Sequence, residues 1–114
     1  MQLQSETIGD CLVVTILDER IDAGTAIQFK DEMRKVIGDA PQRVVLDLKP
    51  VDSIDSSGLG AIVSVMKIMG PDRPLELAGL STKVQTVFRL TRMDSVVTIH
   101  SSREAALGAY SRAS

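Results

Sequence analysis

Apolar residues recur with two different spacings along this chain, and the order of these spacings predicts alternating strands and helices. A β-branched run at residues 11–17 and a nearly continuous apolar run at residues 44–48 are typical of buried strands. We expect residues 2–6 to pair with the first run as an edge strand, and residues 75–78 and 96–99 to form the last two strands. Asp47 marks either the end or a polar face of the second run.

Apolar residues spaced three and four apart predict helices between and after these strands. The first helix follows Asp22, which stands at an N-cap position, and stops at Gly38, whereas the second runs from Ser57 to about residue 69. The third follows the cap residue Ser81, and the fourth starts at about Ser102. The apolar positions of the four helices are, in order, Ala26, Phe29, Met33, Val36 and Ile37; Leu59, Ile62, Val63, Val65, Met66 and Met69; Val84, Val87, Phe88 and Leu90; and Ala105, Ala106, Ala109 and Tyr110.

The polar faces of the first two helices differ. In the first helix, the charged residues at positions 30–32, 34 and 35 are interpreted as a solvated face rather than a binding patch. The second helix is apolar over more than one face, and two explanations stay open. Its surplus apolar residues form a partner surface, or the helix is packed between the sheet and a neighbouring helix.

This order of elements predicts an α/β fold. We expect a mostly parallel sheet of about four to five strands with right-handed crossovers, about four helices and an antiparallel first strand pair. One face of so small a sheet should be less well covered than the other. The length of 114 residues with 44% hydrophobic residues fits one core, so residues 1–114 are expected to form a single domain.

Composition excludes several classes of partner. A net charge of −2, no run of Lys or Arg, and few aromatic residues argue against direct nucleic-acid binding. Cys11 is the single cysteine, and its place in an apolar run predicts a buried structural thiol. The chain has neither a signal-peptide pattern at its start nor an apolar run near the roughly 18 residues of a membrane span, which predicts a cytoplasmic protein without membrane contact.

The residue inventory also argues against catalysis. His100 is the single histidine and is predicted just after the last strand, while Asp55 replaces the glycine that a nucleophile elbow has two residues before its serine. Cysteine and histidine lie too far apart in sequence to give the ligand spacing of a zinc site. The segment Gly58-Leu59-Gly60 lacks the third glycine of a dinucleotide fingerprint. We therefore predict no enzyme activity, no catalytic residue, no metal and no cofactor.

The segment Asp55-Ser56-Ser57-Gly58 lies at a predicted junction between a strand and a helix. A helix start leaves backbone N–H groups without intrahelical partners and carries the positive end of the helix dipole. A hydroxyl of Ser57 can therefore cap the helix, and a phosphate on it is tolerated. We expect the N–H groups near Gly58 and Leu59 to receive such a phosphate, because the missing Cβ of Gly58 leaves room for its oxygens.

These residues carry a family resemblance. The run Asp55-Ser56-Ser57-Gly58-Leu59-Gly60, together with residues 11–17, 20–25, 77–81 and 84–88, resembles the STAS domains of bacterial anti-sigma factor antagonists. Arg20 departs from the small residue that the family usually has there, which leaves the identity of the partner open. The resemblance implies a single STAS domain over residues 1–114, with Ser57 as the phosphoacceptor. The partner-binding residues that it implies are Asp22, Asp55, Ser56, Ser57, Gly58 and Leu59.

The resemblance also implies a partner-switching function. The unphosphorylated form would bind an anti-sigma factor that is itself a serine kinase, phosphorylation at Ser57 would end the binding, and a serine phosphatase would restore it. For Asp22 the simple structural explanation is an N-cap, although Thr25 rather than Glu or Gln stands at the reciprocal position of a capping box. The alternative function is a constitutive interaction module, such as a transporter subunit or a scaffold, in which Ser57 is only a cap. A small-ligand or nucleotide site at the same helix start is a third class, for which we expect no binding.

Overall fold

The computed structural model describes the backbone of residues 2–38 and 43–113, and side chains as far as residue 108. The strands are β1 (Leu3–Ile8), β2 (Cys11–Ile16), β3 (Arg20–Ile21), β4 (Arg43–Asp47), β5 (Ser53–Ile54), β6 (Glu76–Ala78) and β7 (Thr98–His100). The helices are α1 (Ala26–Gly38), α2 (Ser56–Met69), α3 (Thr82–Leu90) and α4 (Arg103–Ala113), with a 3₁₀ turn at Met93–Ser95. The predicted alternation of strands and helices is therefore confirmed.

Within the described ranges, five strands form the main sheet in the order β1-β2-β4-β6-β7. β1 pairs with β2 in the antiparallel sense, with Leu3 opposite Ile16, whereas β2, β4, β6 and β7 are parallel. This arrangement confirms the mostly parallel sheet with an antiparallel first pair. Such an order places α1, α2 and α3 as successive crossovers between neighbouring parallel strands.

The front face of the main sheet, defined by the inward side chains of Leu12, Val14, Leu46 and Leu77, carries the larger core. Successive side chains of a strand point to opposite faces, so alternate residues of β2 and β4 reach this side. The helices complete the core with Phe29, Met33, Ile37, Ala61, Ile62, Val65, Met69, Val84 and Phe88, all of which are buried. The apolar stripes predicted for the first three helices therefore largely face the sheet, and the clearest exception lies in α3.

That exception is Leu90, which ends α3 and is 75% exposed. The surplus apolar residues of α2 take an intermediate position, since Val63 and Met66 are only half-buried. They line an open groove of about 560 Å³ that also contains Lys67 and Val96. Packing against the sheet therefore accounts for most, but not all, of the apolar surface of α2.

The back face of the main sheet, defined by Cys11, Val13, Val45 and Ala78, has the smaller apolar cluster. α4 contributes Ala106 to this cluster, and the expected unequal coverage of the two faces is confirmed. Cys11 is 1% exposed, as predicted for a structural thiol. The predicted positions Ala109 and Tyr110 lie outside the residues whose side chains are described.

Three polar side chains on the back face, Arg43, Glu76 and His100, form what we call the back-face network. Arg43 donates through Nε and Nη2 to the two carboxylate oxygens of Glu76, at 2.6 and 2.7 Å. Its Nη2 also donates to the carbonyl oxygen of Ala106 at 2.7 Å, and Nε2 of His100 lies 2.8 Å from Oε1 of Glu76. The hydrogen bonds from Arg43 to Glu76 raise the pKa of Arg43, and burial of the guanidinium acts in the opposite direction. The network therefore ties β4, β6, β7 and α4 together.

Asp47 also faces the back of the sheet, and it is only 5% exposed. Its Oδ1 accepts a hydrogen bond from the backbone N–H of Lys49 at 3.0 Å, and its Oδ2 lies 3.9 Å from Nη1 of Arg103. Arg103 is also paired with Glu6 of β1. Asp47 is thus the last residue of β4, and its side chain contacts the first turn of α4. Both expectations, a strand end and a polar face, agree with this position.

The structure differs from the predicted strands in two ways. β3 and β5 form a separate two-stranded parallel sheet that was not predicted, because two residues are too few to show a periodicity. Ser53 belongs to β5 and is paired with Arg20 in this small sheet. The last strand lies two residues later than expected at its start and includes His100, since Val96 follows the 3₁₀ turn and is 52% exposed.

Two of the predicted caps are confirmed by their hydrogen bonds. Oγ of Ser81 accepts from the N–H of Val84 at 3.2 Å at the start of α3. Oγ of Ser102 accepts from the N–H of Ala105 at 3.0 Å at the start of α4. Both contacts link residues three apart, which is why the sequence alone could predict them.

Candidate functional site

The small β3–β5 sheet positions the residues singled out by the sequence. Its register pairs Arg20 with Ser53 and Ile21 with Ile54, so that the next residue of each strand, Asp22 and Asp55, follows at the same end. The carbonyl oxygen of Glu19 accepts from the N–H groups of Asp52 and Ser53, at 2.7 and 3.2 Å. The N–H of Asp55 donates to the carbonyl oxygen of Ile21 at 3.3 Å. The segments before α1 and before α2 are therefore held side by side.

Asp55, and not Ser57, caps α2. Asp55 has an extended backbone, and its Oδ1 accepts from the N–H of Gly58 at 2.9 Å. The helix begins at Ser56, which places Ser57 at the second helical position instead of at the cap. The expectation that the Ser57 hydroxyl caps the helix is therefore wrong. Aspartate caps a helix as well as serine does, so neither Ser56 nor Ser57 is needed as the cap of α2.

Ser56 and Ser57 are exposed. Among the described residues, no hydrogen bond involves the hydroxyl of either serine. Their backbone N–H groups are the first two of α2, which have no carbonyl one turn earlier in the helix to pair with. The Ser57 hydroxyl is thus accessible, and it lies at the positive end of the helix dipole.

The predicted phosphate contacts at Gly58 and Leu59 are not available in this structure. The N–H of Gly58 already donates to the Asp55 side chain, and the N–H of Leu59 donates to the carbonyl oxygen of Asp55 at 2.9 Å. A phosphate on Ser57 would have to displace these bonds or use the two earlier N–H groups. The sequence predicted that α2 starts at Ser57, one residue too late. The free N–H donors were therefore also predicted too late in the chain.

Gly58 has a packing role that the sequence did not reveal. A Cβ at this position would lie 2.1 Å from the carbonyl oxygen of Ile21 and 2.8 Å from Cγ1 of Ile54. The residue is buried, so it offers little surface to a partner protein. Gly58 lets α2 approach the β3 backbone closely, and the expectation that it makes room for a phosphate is corrected.

Asp22 forms the turn that leads into α1. Its Oδ1 accepts from the N–H of Gly24 at 3.0 Å, and its carbonyl oxygen accepts from the N–H of Ala26 at 2.8 Å. The N–H of Asp22 donates to Oγ1 of Thr25 at 3.0 Å. Thr25 therefore accepts the hydrogen bond that Glu or Gln would accept in a capping box. Asp22 is half-buried and closes the turn at residues 22–26, but α1 itself begins at Ala26, so the predicted N-cap position lies four residues before the helix.

Leu59 is also half-buried, and it packs against the front-face core. Of the six predicted partner-binding residues, the structure therefore exposes Asp55, Ser56 and Ser57. The other three, Asp22, Gly58 and Leu59, hold the first turns of α1 and α2 in place. Whether any of the six contacts a partner stays a prediction.

Sequence reasoning missed the residues that surround Ser57. A groove of about 180 Å³ between α1 and α2, which we call the α1–α2 groove, is lined by Ala26, Ile27, Lys30, Ser57, Gly60, Ala61 and Ser64. Lys30, interpreted as part of a solvated face, is half-buried in this groove. Ile27 is 69% exposed. In the sequence, Ile27 is recognisable only as an apolar residue that lies one position away from the apolar stripe of α1.

The described part of the chain contains no cluster of three or more metal-ligating side chains. His100 belongs to the back-face network and not to the surroundings of Ser57. No helix in the described ranges is both long and apolar enough to cross a membrane. The chemistry that this site offers is therefore that of an exposed hydroxyl beside an aspartate cap.

Comparison with known proteins identifies relatives over almost the whole chain. A family model described as STAS domain matches residues 2–106. A protein of Bordetella bronchiseptica, named as the candidate anti-sigma factor antagonist BtrV, is 31% identical to this chain over 114 residues. The match covers 99% of this chain and 97% of the relative.

Solved structures share the same fold. A candidate anti-sigma factor antagonist from Thermotoga maritima superposes with a TM-score of 0.80 at 26% identity, covering 93% of this chain and 92% of that one. The Bacillus cell-fate determinant SpoIIAA in its phosphorylated form superposes with a TM-score of 0.64 at 17% identity. That match covers 92% of this chain and 96% of the SpoIIAA chain, and at this identity it shows the fold alone.

Proposed function

Because this chain belongs to the STAS domain family, whose members include anti-sigma factor antagonists, we propose that it is an antagonist controlled by phosphorylation of Ser57. In its unphosphorylated form it binds an anti-sigma factor that is also a serine kinase, and the sigma factor is released. The kinase phosphorylates Ser57 and the complex separates, until a serine phosphatase restores the hydroxyl. This sequence of events places the protein in the cytoplasm, as a substrate and not as an enzyme.

The observation that carries the proposal is the state of the Ser57 hydroxyl. It is exposed at the second position of α2, and the capping role is filled by Asp55. Modification of Ser57 therefore removes no hydrogen bond of its side chain within the described residues. The BtrV relative supports the choice of pathway. The phosphorylated SpoIIAA structure supports the view that a fold of this kind can carry a phosphate.

The chemistry of the switch is a reversible transfer of one phosphoryl group. Oγ of Ser57 attacks the γ-phosphorus of ATP in the kinase, ADP leaves with the bridging oxygen, and a base of the kinase takes the hydroxyl proton. In the phosphatase, water attacks the same phosphorus, Oγ of Ser57 leaves and is protonated, and inorganic phosphate is released. No group of this chain other than the Ser57 hydroxyl has to react.

Phosphorylation adds about −1.5 to −2 charges at neutral pH. The new charge lies next to the exposed carboxylate of Asp55, and a partner surface that fits a neutral hydroxyl would have to desolvate and oppose it. Disrupting a close interface contact that involves charge costs about 2–5 kcal/mol, which corresponds to roughly 1.5 to 3.5 powers of ten in affinity. A single modification is therefore sufficient to switch the binding.

The direct test is incubation with ATP and a serine kinase of the anti-sigma factor type that binds this protein, followed by mass spectrometry of the peptides. We expect phosphate on Ser57. The variant Ser57→Ala should remain unmodified, while Ser56→Ala should be modified like the wild type. Phosphate on Ser56 or elsewhere, or no phosphate at all, would contradict the assignment.

A binding titration separates switching from constitutive binding. Ser57→Asp should weaken kinase binding by about 100-fold, whereas Ser57→Ala should keep it within about threefold. Ser95→Asp places the same charge on an exposed serine beyond the end of α3 and should bind normally. Equal affinities of Ser57→Asp and wild type would instead favour the constitutive interaction module.

A further inference from the structure

The α1–α2 groove contains the Ser57 hydroxyl at one end of a row of small residues. Gly60 and Ala61 follow Ser57 by three and four residues, and Ser64 follows them by four and three, so all four lie on one side of α2. α1 provides the opposite wall with Ile27 and Lys30. A protein that brings the γ-phosphate of ATP to Ser57 has to approach this groove, because Ser57 is part of its lining.

No contact within the described part of the protein requires a glycine at position 60. A Cβ at Gly60 would meet no atom within 4 Å, whereas a Cβ at Gly58 would collide with the backbone of β3. A glycine inside a helix lowers its stability relative to alanine. Gly60 is exposed, so the space that its missing side chain leaves open faces outward. A partner side chain that enters this space would account for the glycine.

The α1 wall offers two contacts of different kinds. Ile27 is an exposed apolar side chain in the groove, although one exposed apolar residue is in itself ordinary. Lys30 is the one charged residue of the lining, and in the described part of the chain it has no ion pair. A complementary surface would therefore present an apolar side chain toward Ile27 and Gly60, and a carboxylate toward Lys30.

We propose that the α1–α2 groove is the docking surface of the kinase that phosphorylates Ser57. The groove receives an apolar side chain over Gly60 and against Ile27, and Lys30 pairs with a carboxylate of the kinase. This inference rests on the proposed function. It also explains how the phosphate ends binding, since phospho-Ser57 lies in the same groove and competes for Lys30 with the carboxylate of the kinase.

The test is a calorimetric titration of the kinase that phosphorylates Ser57, in the presence of ADP, with matched variants. Gly60→Ala should raise the melting temperature of this protein and at the same time lower its affinity about tenfold. Gly108→Ala is the control, because Gly108 also lies in a helix with no atom within 4 Å of an added Cβ. This control should bind like the wild type.

The α1 wall is tested in the same way. Ile27→Asp should weaken binding by about 30-fold or more, while Leu90→Asp, at a comparably exposed leucine of α3, should leave it unchanged. Lys30→Gln should weaken binding about tenfold and reduce its dependence on salt, whereas Lys35→Gln, on the exposed face of α1, should do neither.

The outcomes distinguish the two proposals. If the wild type is phosphorylated on Ser57 and binds the kinase, but Gly60→Ala and Ile27→Asp bind equally well, the docking surface is refuted and the proposed function stands. If the wild type is neither bound nor phosphorylated by the kinase, both proposals fail. Loss of binding in the groove variants, with the three controls intact, supports the docking surface.

Discussion

The back-face network and the start of α2 are both polar, but they differ in where their partners lie. Arg43, Glu76 and His100 are largely buried, and their hydrogen bonds are made within the chain. Ser56 and Ser57 are exposed, and their hydroxyls make no hydrogen bond within the described ranges. Buried polar groups lose stability when a partner is removed, whereas exposed ones can be modified at little cost. Stability and switching are therefore assigned to different polar groups.

The largest effect should come from breaking the back-face network. Glu76→Ala leaves Arg43 buried without its carboxylate partner, and removing one partner of a buried pair costs about 3–5 kcal/mol. We expect this loss in the free energy of unfolding measured by urea titration. Glu32→Ala removes a more exposed ion pair with Lys35 and should cost at most about 1 kcal/mol. Similar losses for both variants would show that burial does not distinguish the two pairs.

A second variant tests the packing that holds the start of α2. Gly58→Ala places a Cβ 2.1 Å from the carbonyl oxygen of Ile21, so that α2 must move away from β3 at a cost of about 3 kcal/mol. Gly60→Ala, two residues later, should instead stabilise the fold by about 0.5–1 kcal/mol. Thermal unfolding of the two variants should therefore show shifts of opposite sign. A neutral Gly58→Ala would mean that the contact with β3 is not tight.

The Asp55 carboxylate can be examined for its two possible roles. Asp55→Ala removes the cap of α2 and should lower the free energy of unfolding by about 1 kcal/mol, whereas Asp55→Asn keeps an acceptor and should cost only a few tenths. The affinity of Asp55→Asn for the kinase then distinguishes a cap from a partner contact. Unchanged binding of Asp55→Asn would show that the carboxylate serves only as a cap. Weaker binding would show that its charge contacts the partner.

The smallest effect concerns the pH dependence of stability. Burial raises the pKa of the Cys11 thiol, with Glu76 and Asp10 acting in the same direction and Arg43 opposing them. The stabilisation by the protonated thiol is complete below the unfolded pKa, about 8.5, and is lost as pH rises through the higher folded value. Urea titrations at about pH 7 and about pH 10 should show a steeper loss for wild type than for Cys11→Ala, by less than about 1 kcal/mol. Parallel losses would contradict this expectation.

Most of the helices and the main sheet could be predicted because their signals are local. The runs that became β2 and β4 are strongly apolar, and Ser81 and Ser102 cap helices through contacts three residues away. The resemblance of residues 55–60 to STAS domains added the family, which the matching family model confirms. Within the candidate site, the sequence misplaced the cap of α2 by two residues, at Ser57 instead of Asp55.

The remaining features depend on residues far apart in the sequence. Arg43 meets Glu76 across 33 residues, and His100 meets the same carboxylate across 24. Gly58 is required by the backbone of Ile21, and Lys30 reaches the groove of Ser57 from another helix. Periodicity and capping act over one or two turns of chain, so the sequence by itself determined the four helices, the strands of the main sheet and the family. The tertiary structure decided which glycine is packed, which aspartate caps, and which polar groups are buried together.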